Sequence, residues 1–367
     1  MRVLELPAGL DSREQGRAHG EAFRPLIEEC AEIRIELCVR NGRFRSVEDV
    51  LAASALHLPL LDRFSVHASE ELRGIAEGAG LSTARIVALN HYTDLRDLDP
   101  ATLEARGLAA PTSPASEEDD DECSLVYART PEGVLIGETW DTHATATPYV
   151  MMLRTPEHEG APEAWIFTIT GNLAIAGVNA AGVGIGVNNL NSEDARVGVV
   201  WPAVVREGLR AHSAEAARDV ILGAPLGSGH HYFVASEEAA FGIETSGLRK
   251  QVVFEGGESF VHTNHCLDAF VGEASKVKAT STTQLRFDAL QRGLELAPIE
   301  SRADLWARLG SHEGYPRGVC THLAHPEAPH AVNTCGAIVM NLSRRDAWAT
   351  RGCVHHSRPH HFEFERS

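Results

Sequence analysis

"SEEDDDECSLVYART", Ser116–Thr130, joins two kinds of sequence at one residue. Acids run unbroken from Glu117 to Glu122 and stop at Cys123, where an apolar stretch begins. With the "PEG" turn and "VLIGETWD" that follow, Cys123–Asp141 reads as strand, turn, strand. A cysteine opening a strand is ordinarily a small buried hydrophobe. At the seam with an acidic linker it offers a second chemistry. Cutting the Glu122–Cys123 bond would give Cys123 a free α-amino group beside its thiol. Such an amine titrates near ~8, far below lysine, and serves as a general base at neutral pH. Nucleophile and base then sit in one residue. The cut can be self-inflicted, the thiol attacking the preceding carbonyl and water resolving the ester-like bond. Before the cut the neighbouring carboxylates are expected to disfavour thiolate; afterwards an ammonium favours it.

Outward from this seam, the chain changes character. Residues 12–40 carry helical spacing, with Ala22, Phe23, Leu26, Ile27, Cys30, Ile33 and Leu37 on one face. Three more helical stretches follow: "VEDVLAASALHLPLLDRF", "SEELRGIAEGAG" with a capping order from Ser69, and "STARIVALNHYTDL". Asp99 to Glu122 is Ala, Pro, Ser, Thr and acids, a composition that predicts an exposed, flexible connector. Beyond Cys123 short strands dominate. Helices return at "PAVVREGLRAHSAEAARDVILG" and "STTQLRFDALQRGLELA", and a hairpin is expected in "AVNTCGAIVMNLSRRDAWATRGC". The expectation is an α+β protein with sheet layers covered by helices.

The chain has 367 residues and a formal charge of −18. That field argues against nucleic acid and anionic membrane surfaces as partners. No basic and apolar leader opens the chain and no apolar run is long enough to span a bilayer, so a cytoplasmic enzyme is expected. Its seven cysteines are scattered with no CxxC, which predicts reduced thiols, no disulfide framework and no metal site. The 19 histidines lack the spacing of a catalytic zinc motif; those at the C-terminus read as solvated. No cofactor is expected.

Six segments, in order, resemble the acyl-CoA:6-aminopenicillanate acyltransferase family of N-terminal-nucleophile (Ntn) hydrolases. They are "GRAHGEAFRPLIEE", "ELRGIAEGAGLSTARIVALN", "CSLVYARTPEGVLIGETWD", "GNLAIAGVNAAGVGIGVNNL", "FVHTNHC" and "YPRGVCTH". The resemblance implies a four-layer αββα sandwich, a mainly helical leader (1–122) and a large chain (123–367) that stay associated after processing. It makes Glu122–Cys123 the autocleavage site and Cys123 the nucleophile. It implies that Asp141 contacts the nucleophile's amino end and that Asn264 stabilises the oxyanion. Trp140, His265 and Ser124 are the expected substrate-binding residues, while Asn179, Asn188 and Asn189 read as structural. Glu122 departs from the glycine often found before the nucleophile, and Thr321 stands where an arginine follows the family's late cysteine, with Arg317 nearby.

The implied activity is hydrolysis of a small N-acyl amide through a thioester. CoA-dependent N-acyl transfer is the alternative, with acyl-CoA as substrate. A catalytically silent protein keeping the fold is a third reading, opposed by the joint presence of Cys123, Asp141 and Asn264. A Cys-His-Glu glutamine amidotransferase would need a strand-to-helix elbow, which Cys123 lacks.

Overall fold

The computed structural model describes residues 1–40, 44–108, 122–323, 328 and 330–365. The leader opens with a short strand, β1 (Arg2–Glu5). Helices α1 (Ser12–Ala22), α2 (Arg24–Arg40), α3 (Val47–Ala55), α4 (Leu58–Phe64), α5 (Val66–Ala79), α6 (Thr83–Asn90), α7 (Tyr92–Asp97) and α8 (Pro100–Glu104) follow. Next come β2 (Glu122–Thr130), β3 (Gly133–His143), β4 (Val150–Thr155), β5 (Ala164–Ile169), β6 (Ala176–Asn179) and β7 (Gly184–Leu190). Helices α9 (Trp201–Gly208) and α10 (Ala214–Gly223) precede β8 (Gly229–Ala235), β9 (Ala240–Thr245), β10 (Lys250–Glu255) and β11 (Ser259–His262). Helices α11 (Ala269–Gly272), α12 (Thr283–Leu296) and α13 (Arg302–Leu309) lead to β12 (Val332–Asn341), β13 (Asp346–Arg351) and β14 (His360–Glu363).

Two sheets result, one ordered β1-β4-β5-β6-β7-β8-β9-β10 and the other β11-β2-β3-β12-β13-β14. On β2 the side chains alternate as a strand requires. Cys123, Leu125 and Tyr127 enter the core between the sheets, which they share with Ile166, Phe167 and Phe233 of the larger sheet. Val126 and Ala128 turn the other way and meet Leu290 of α12 and Leu305 and Leu309 of α13. Helices α9 and α10 cover the larger sheet, Gly208 bringing α9 against Ile185. The layers are α, β, β, α, as expected. No helix among the described residues is long and apolar enough to cross a membrane.

The leader belongs to the same core, contributing Ile27, Leu61, Leu72, Ile75 and Leu89. Its first two motif segments have a packing reason. Gly16 and Gly20 of α1 face Gly74 and Gly78 of α5 so closely that a Cβ on Gly74 would lie 2.0 Å from the Arg13 carbonyl oxygen. Between those glycines, His19 Nε2 accepts the Gly171 N–H at 3.0 Å. Asn90, ending the second segment, donates to the Gly171 carbonyl at 2.8 Å and accepts from the Leu173 N–H at 2.9 Å. Three motif segments therefore meet at Gly171.

Several boundaries differ from the sequence reading. The 12–40 stretch breaks at Phe23, and the second breaks at Leu56–His57. Ser65, not Ser69, caps α5, accepting the Ala68 N–H. Strand β1, unforeseen, pairs in parallel with β4. The connector begins as helix: Asp99 caps α8, and Leu103 is buried. Its portion 109–121 lies outside the described residues. Its last residue departs most from the expectation: Glu122 is not solvated but fully buried within β2.

Candidate active site

Register places Glu122 opposite Asp141 and Cys123 opposite Trp140. Cys123 therefore opens towards the inter-sheet core at the end of β2, where a small cavity open to solvent lies. Trp140 and Asn189 line it with Cys123, and the leader supplies Arg34, Asn90, Tyr92 and Thr93. Arg34 is 5% exposed, its guanidinium donates to the Leu89 carbonyl, and it lies over the rings of Tyr92 and Trp140. Its Nε is buried with no hydrogen-bond partner among the described residues, so the cavity wall carries a cationic donor. His230 also lines the cavity, with Nε2 2.8 Å from Asp94 Oδ1.

Behind Cys123 lies a polar clamp. The Cys123 backbone N–H donates to Asn264 Oδ1 at 2.7 Å. Arg286 Nη2 donates to the same oxygen at 2.9 Å, and Nη1 to the Cys123 carbonyl at 2.7 Å and to Ser124 Oγ at 2.9 Å. Asn264 Nδ2 donates to the Asn189 carbonyl at 2.9 Å. With two donors on its oxygen and a carbonyl at its nitrogen, the carboxamide has a single satisfied orientation. Asn264 sits just past β11, whose end is fixed by buried His262: Nε2 lies 2.9 Å from Glu244 Oε1 and Nδ1 3.1 Å from Asn188 Oδ1.

Glu122 is held on the helix-covered face. Its carboxylate accepts from the Thr282 N–H at 2.9 Å and the Thr282 hydroxyl at 2.8 Å. Arg317 Nη2 approaches at 3.2 Å and Arg286 Nε at 3.7 Å. Burial alone would raise its pKa, but Arg286, Thr282 and Arg317 outweigh that and hold it below the ordinary glutamate value. The Glu122–Cys123 peptide is thus gripped through the Glu122 side chain on one face and through Asn264 and Arg286 at its nitrogen side.

Asp141 shares the helix-covered face. Its Oδ2 accepts from Thr139 Oγ1 at 3.2 Å, and that hydroxyl accepts the Ser124 N–H at 3.1 Å. Its Oδ1 is buried with no hydrogen-bond partner among the described residues. Burial pushes its pKa up to about 7, opposed by Arg286 and the Thr334 and Thr139 hydroxyls and reinforced by Glu122. On the inner face, burial likewise raises Glu138 well above the carboxylate range; its Oε2 accepts the Val187 N–H at 3.0 Å.

The structure brings Cys123, Asn264, Asp141 and Glu122 around one peptide, and Trp140 to the cavity. Ser124 and His265 do not line that cavity. Ser124 faces Arg286, while His265 Nδ1 lies 2.9 Å from Thr283 Oγ1, its pKa lowered to about 4 by burial. Asn179 closes a turn, accepting the Ala181 and Val183 N–H groups and donating to the Leu209 carbonyl. The sequence reading overlooked Arg286 and Arg34. Arg286 had a signal: in α12 the buried positions Thr283, Arg286, Leu290 and Gly293 follow helical spacing, leaving an arginine on the apolar stripe.

Comparison with known proteins bears on this geometry. The chain is 29% identical over 288 residues to the "Acyl-coenzyme A:6-aminopenicillanic-acid-acyltransferase 40 kDa form" of Emericella nidulans, covering 77% of this chain and 74% of that one. Among solved structures it is similar to a conjugated bile acid hydrolase from Clostridium perfringens (TM-score 0.44, 11% identity, 66% of this chain and 97% of that one). Penicillin V acylase from Agrobacterium tumefaciens is another (TM-score 0.39, 15% identity, 65% and 84%). The model of the acyl-coenzyme A:6-aminopenicillanic acid acyl-transferase family matches residues 128–318, more than half of the chain, and the chain belongs to that family.

Proposed function

We propose that this chain is a self-processing amidohydrolase whose N-terminal cysteine, Cys123, forms a thioester with the acyl group of a small N-acyl amide. The observation that carries the proposal is the placement of one residue. Cys123 lines the cavity, while its own nitrogen rests on Asn264 behind it.

In processing, the thiol attacks the Glu122 carbonyl. A C–S bond forms, the C–N bond breaks, and the proton passes to the departing Cys123 nitrogen. Water then hydrolyses the thioester, leaving a Glu122 carboxylate and a Cys123 residue with free amine and thiol. In turnover the amine takes the thiol proton as sulfur attacks the substrate amide and returns it to the leaving amine. Asn264 Oδ1, already on this nitrogen, holds the amine in place; the second hydrogen of its Nδ2 is the donor assigned to the oxyanion. One such donor is worth about 3–4 kcal/mol of barrier. Asp141 Oδ1, buried and unpaired across from the cleaved bond, is the acceptor assigned to the new ammonium. Leader residues in the cavity wall support a small chain, 1–122, that remains bound to the large chain, 123–367, after the cut.

The family's name favours a second reading, transfer of the same acyl group from CoA to an amine. Both begin from one thioester and differ in what resolves it. The test is to supply the processed protein with a panel of N-acyl amides, and separately with acyl-CoA plus amine acceptors. Amide hydrolysis and preferential iodoacetamide labelling at Cys123, both lost in Cys123→Ala, are expected. CoA release only with an amine present, and no amidase activity, would replace hydrolysis by transfer. Turnover that survives Cys123→Ala would remove both readings.

A further inference from the structure

Away from the cavity, four side chains from distant parts of the sequence aim their ligand atoms at one point. They are His312, in the turn after α13; Cys320 and His322, in the segment leading to β12; and Cys353, just past β13. The two sulfurs are 3.8 Å apart and the two Nε2 atoms 3.0 Å apart. Cys353 Sγ lies 3.4 Å from His312 Nε2, and Cys320 Sγ 3.8 Å from His322 Nε2. All four atoms lie within 4.8 Å of one another.

These separations match the edges of one coordination polyhedron. Zinc binds thiolate at about 2.3 Å and imidazole at about 2.0–2.1 Å in a tetrahedron. Those bond lengths demand S···S of about 3.8 Å, N···N of about 3.3 Å and S···N of about 3.5 Å. A disulfide would need sulfurs about 2.05 Å apart, so the cysteines are not cross-linked. A hydrogen bond between the two imidazoles would account for one edge of the figure, but not for both sulfurs converging on the same point.

We infer that His312, Cys320, His322 and Cys353 form a binding site for a tetrahedral, thiophilic divalent cation, with zinc as the ion that two sulfurs and two imidazoles select. Four protein ligands leave no open position, so the site is structural. It ties the loop between α13 and β12 to the end of β13. Arg317, on Glu122, stands between His312 and Cys320, and Thr321, between Cys320 and His322, donates its N–H to Thr334 Oγ1 at 2.8 Å. The cation therefore pins the loop that supplies one of the counter-charges of the scissile residue. That consequence rests on the processing reading, whereas metal binding does not. The sequence reading, which sought CxxC pairs, did not single out this group. The ligands here are a Cys-x-His, a histidine eight positions before it and a cysteine just past β13.

The test is elemental analysis of the full chain purified without added metal or chelator, then Co²⁺ titration of the stripped protein. About one zinc per chain is expected, with the sulfur-to-cobalt charge-transfer band and strong ligand-field bands of tetrahedral thiolate coordination. Cys320→Ser and Cys353→Ser should each lose the zinc and weaken the cobalt band, while His356→Ala, whose ring lies beside His312 outside the quartet, keeps both. The wild-type cobalt spectrum decides the matter even where a variant misfolds. No zinc and no charge-transfer band in the wild type would overturn the site, as would full binding in the Cys320→Ser, Cys353→Ser double variant. A Cys320–Cys353 disulfide in freshly purified, zinc-free protein would overturn it too.

Discussion

Replacing Glu122 by Gln, in a Cys123→Ala background that the proposed mechanism leaves uncut, isolates the buried anchor of Glu122. Glu122 is fully buried, and Arg286, whose charge it answers, is 1% exposed. Glutamine keeps the shape and an oxygen for the Thr282 N–H, but places an NH₂ group among donors from Thr282, Arg286 and Arg317. Removing one partner of a buried ion pair costs about 3–5 kcal/mol, because the surviving charge stays desolvated. The retained hydrogen bond to Thr282 puts this variant near the low end, about 3 kcal/mol. Urea denaturation of the two uncleaved proteins measures it as a drop in midpoint at unchanged slope. The sign with pH follows from the lowered pKa of Glu122. Its contribution is present above the ordinary value of 4.5 and is lost as pH falls through the lower folded value. The gap between the two proteins should therefore be full at pH 7 and close under acid. Equal stability within about 0.5 kcal/mol at pH 7 would refute the reasoning, since it would mean the carboxylate is not the counter-ion of Arg286.

Three further outcomes follow. In the same Cys123→Ala background Asp141, raised from 3.8 to about 7, favours the fold fully below pH 3.8 and loses that contribution as pH rises through 7, about 4 kcal/mol in all. Asp141→Asn should flatten this part of the pH–stability curve, and an unchanged slope would contradict the assignment. Burial raises the Glu138 pKa and favours its neutral form, so Glu138→Gln should keep stability within about 1 kcal/mol, whereas Glu138→Ala should cost about 2–4 kcal/mol by orphaning the Val187 N–H and opening a void; calorimetry compares them. Gly74→Ala should cost about 3 kcal/mol or more by forcing α5 off the Arg13 carbonyl, and a variant as stable as wild type in thermal unfolding would show that α1 moves freely.

The Cys123–Asp141 hairpin was legible because a strand, a Pro-Glu-Gly turn and a second strand are local signals, and local signals survive folding unchanged. The same holds for the helical stretches of the leader and for the hairpin of β12 and β13. What escaped the sequence was set by distant partners. Glu122 looked like the last charge of a solvated run; Thr282, Arg286 and Arg317, which bury it, lie at least 160 positions away. Arg286 occupied an apolar helical stripe, which is visible in sequence, but its targets on Cys123, Ser124 and Asn264 are not. Strand β1 is four residues long, too short for any alternation to stand out, and exists because β4 pairs with it. Ser124 was placed at the substrate for its position beside Cys123, yet neighbours along a strand face opposite sides, which sends its hydroxyl to Arg286.

Intact-mass analysis of wild type and Cys123→Ala, with sequencing of each new N-terminus, tests the central claim most directly. The account predicts that wild type separates under denaturing conditions into residues 1–122 and 123–367, the larger beginning at Cys123 with a free amine, while Cys123→Ala stays whole. A wild-type chain that remains intact while consuming substrate at full rate would contradict it.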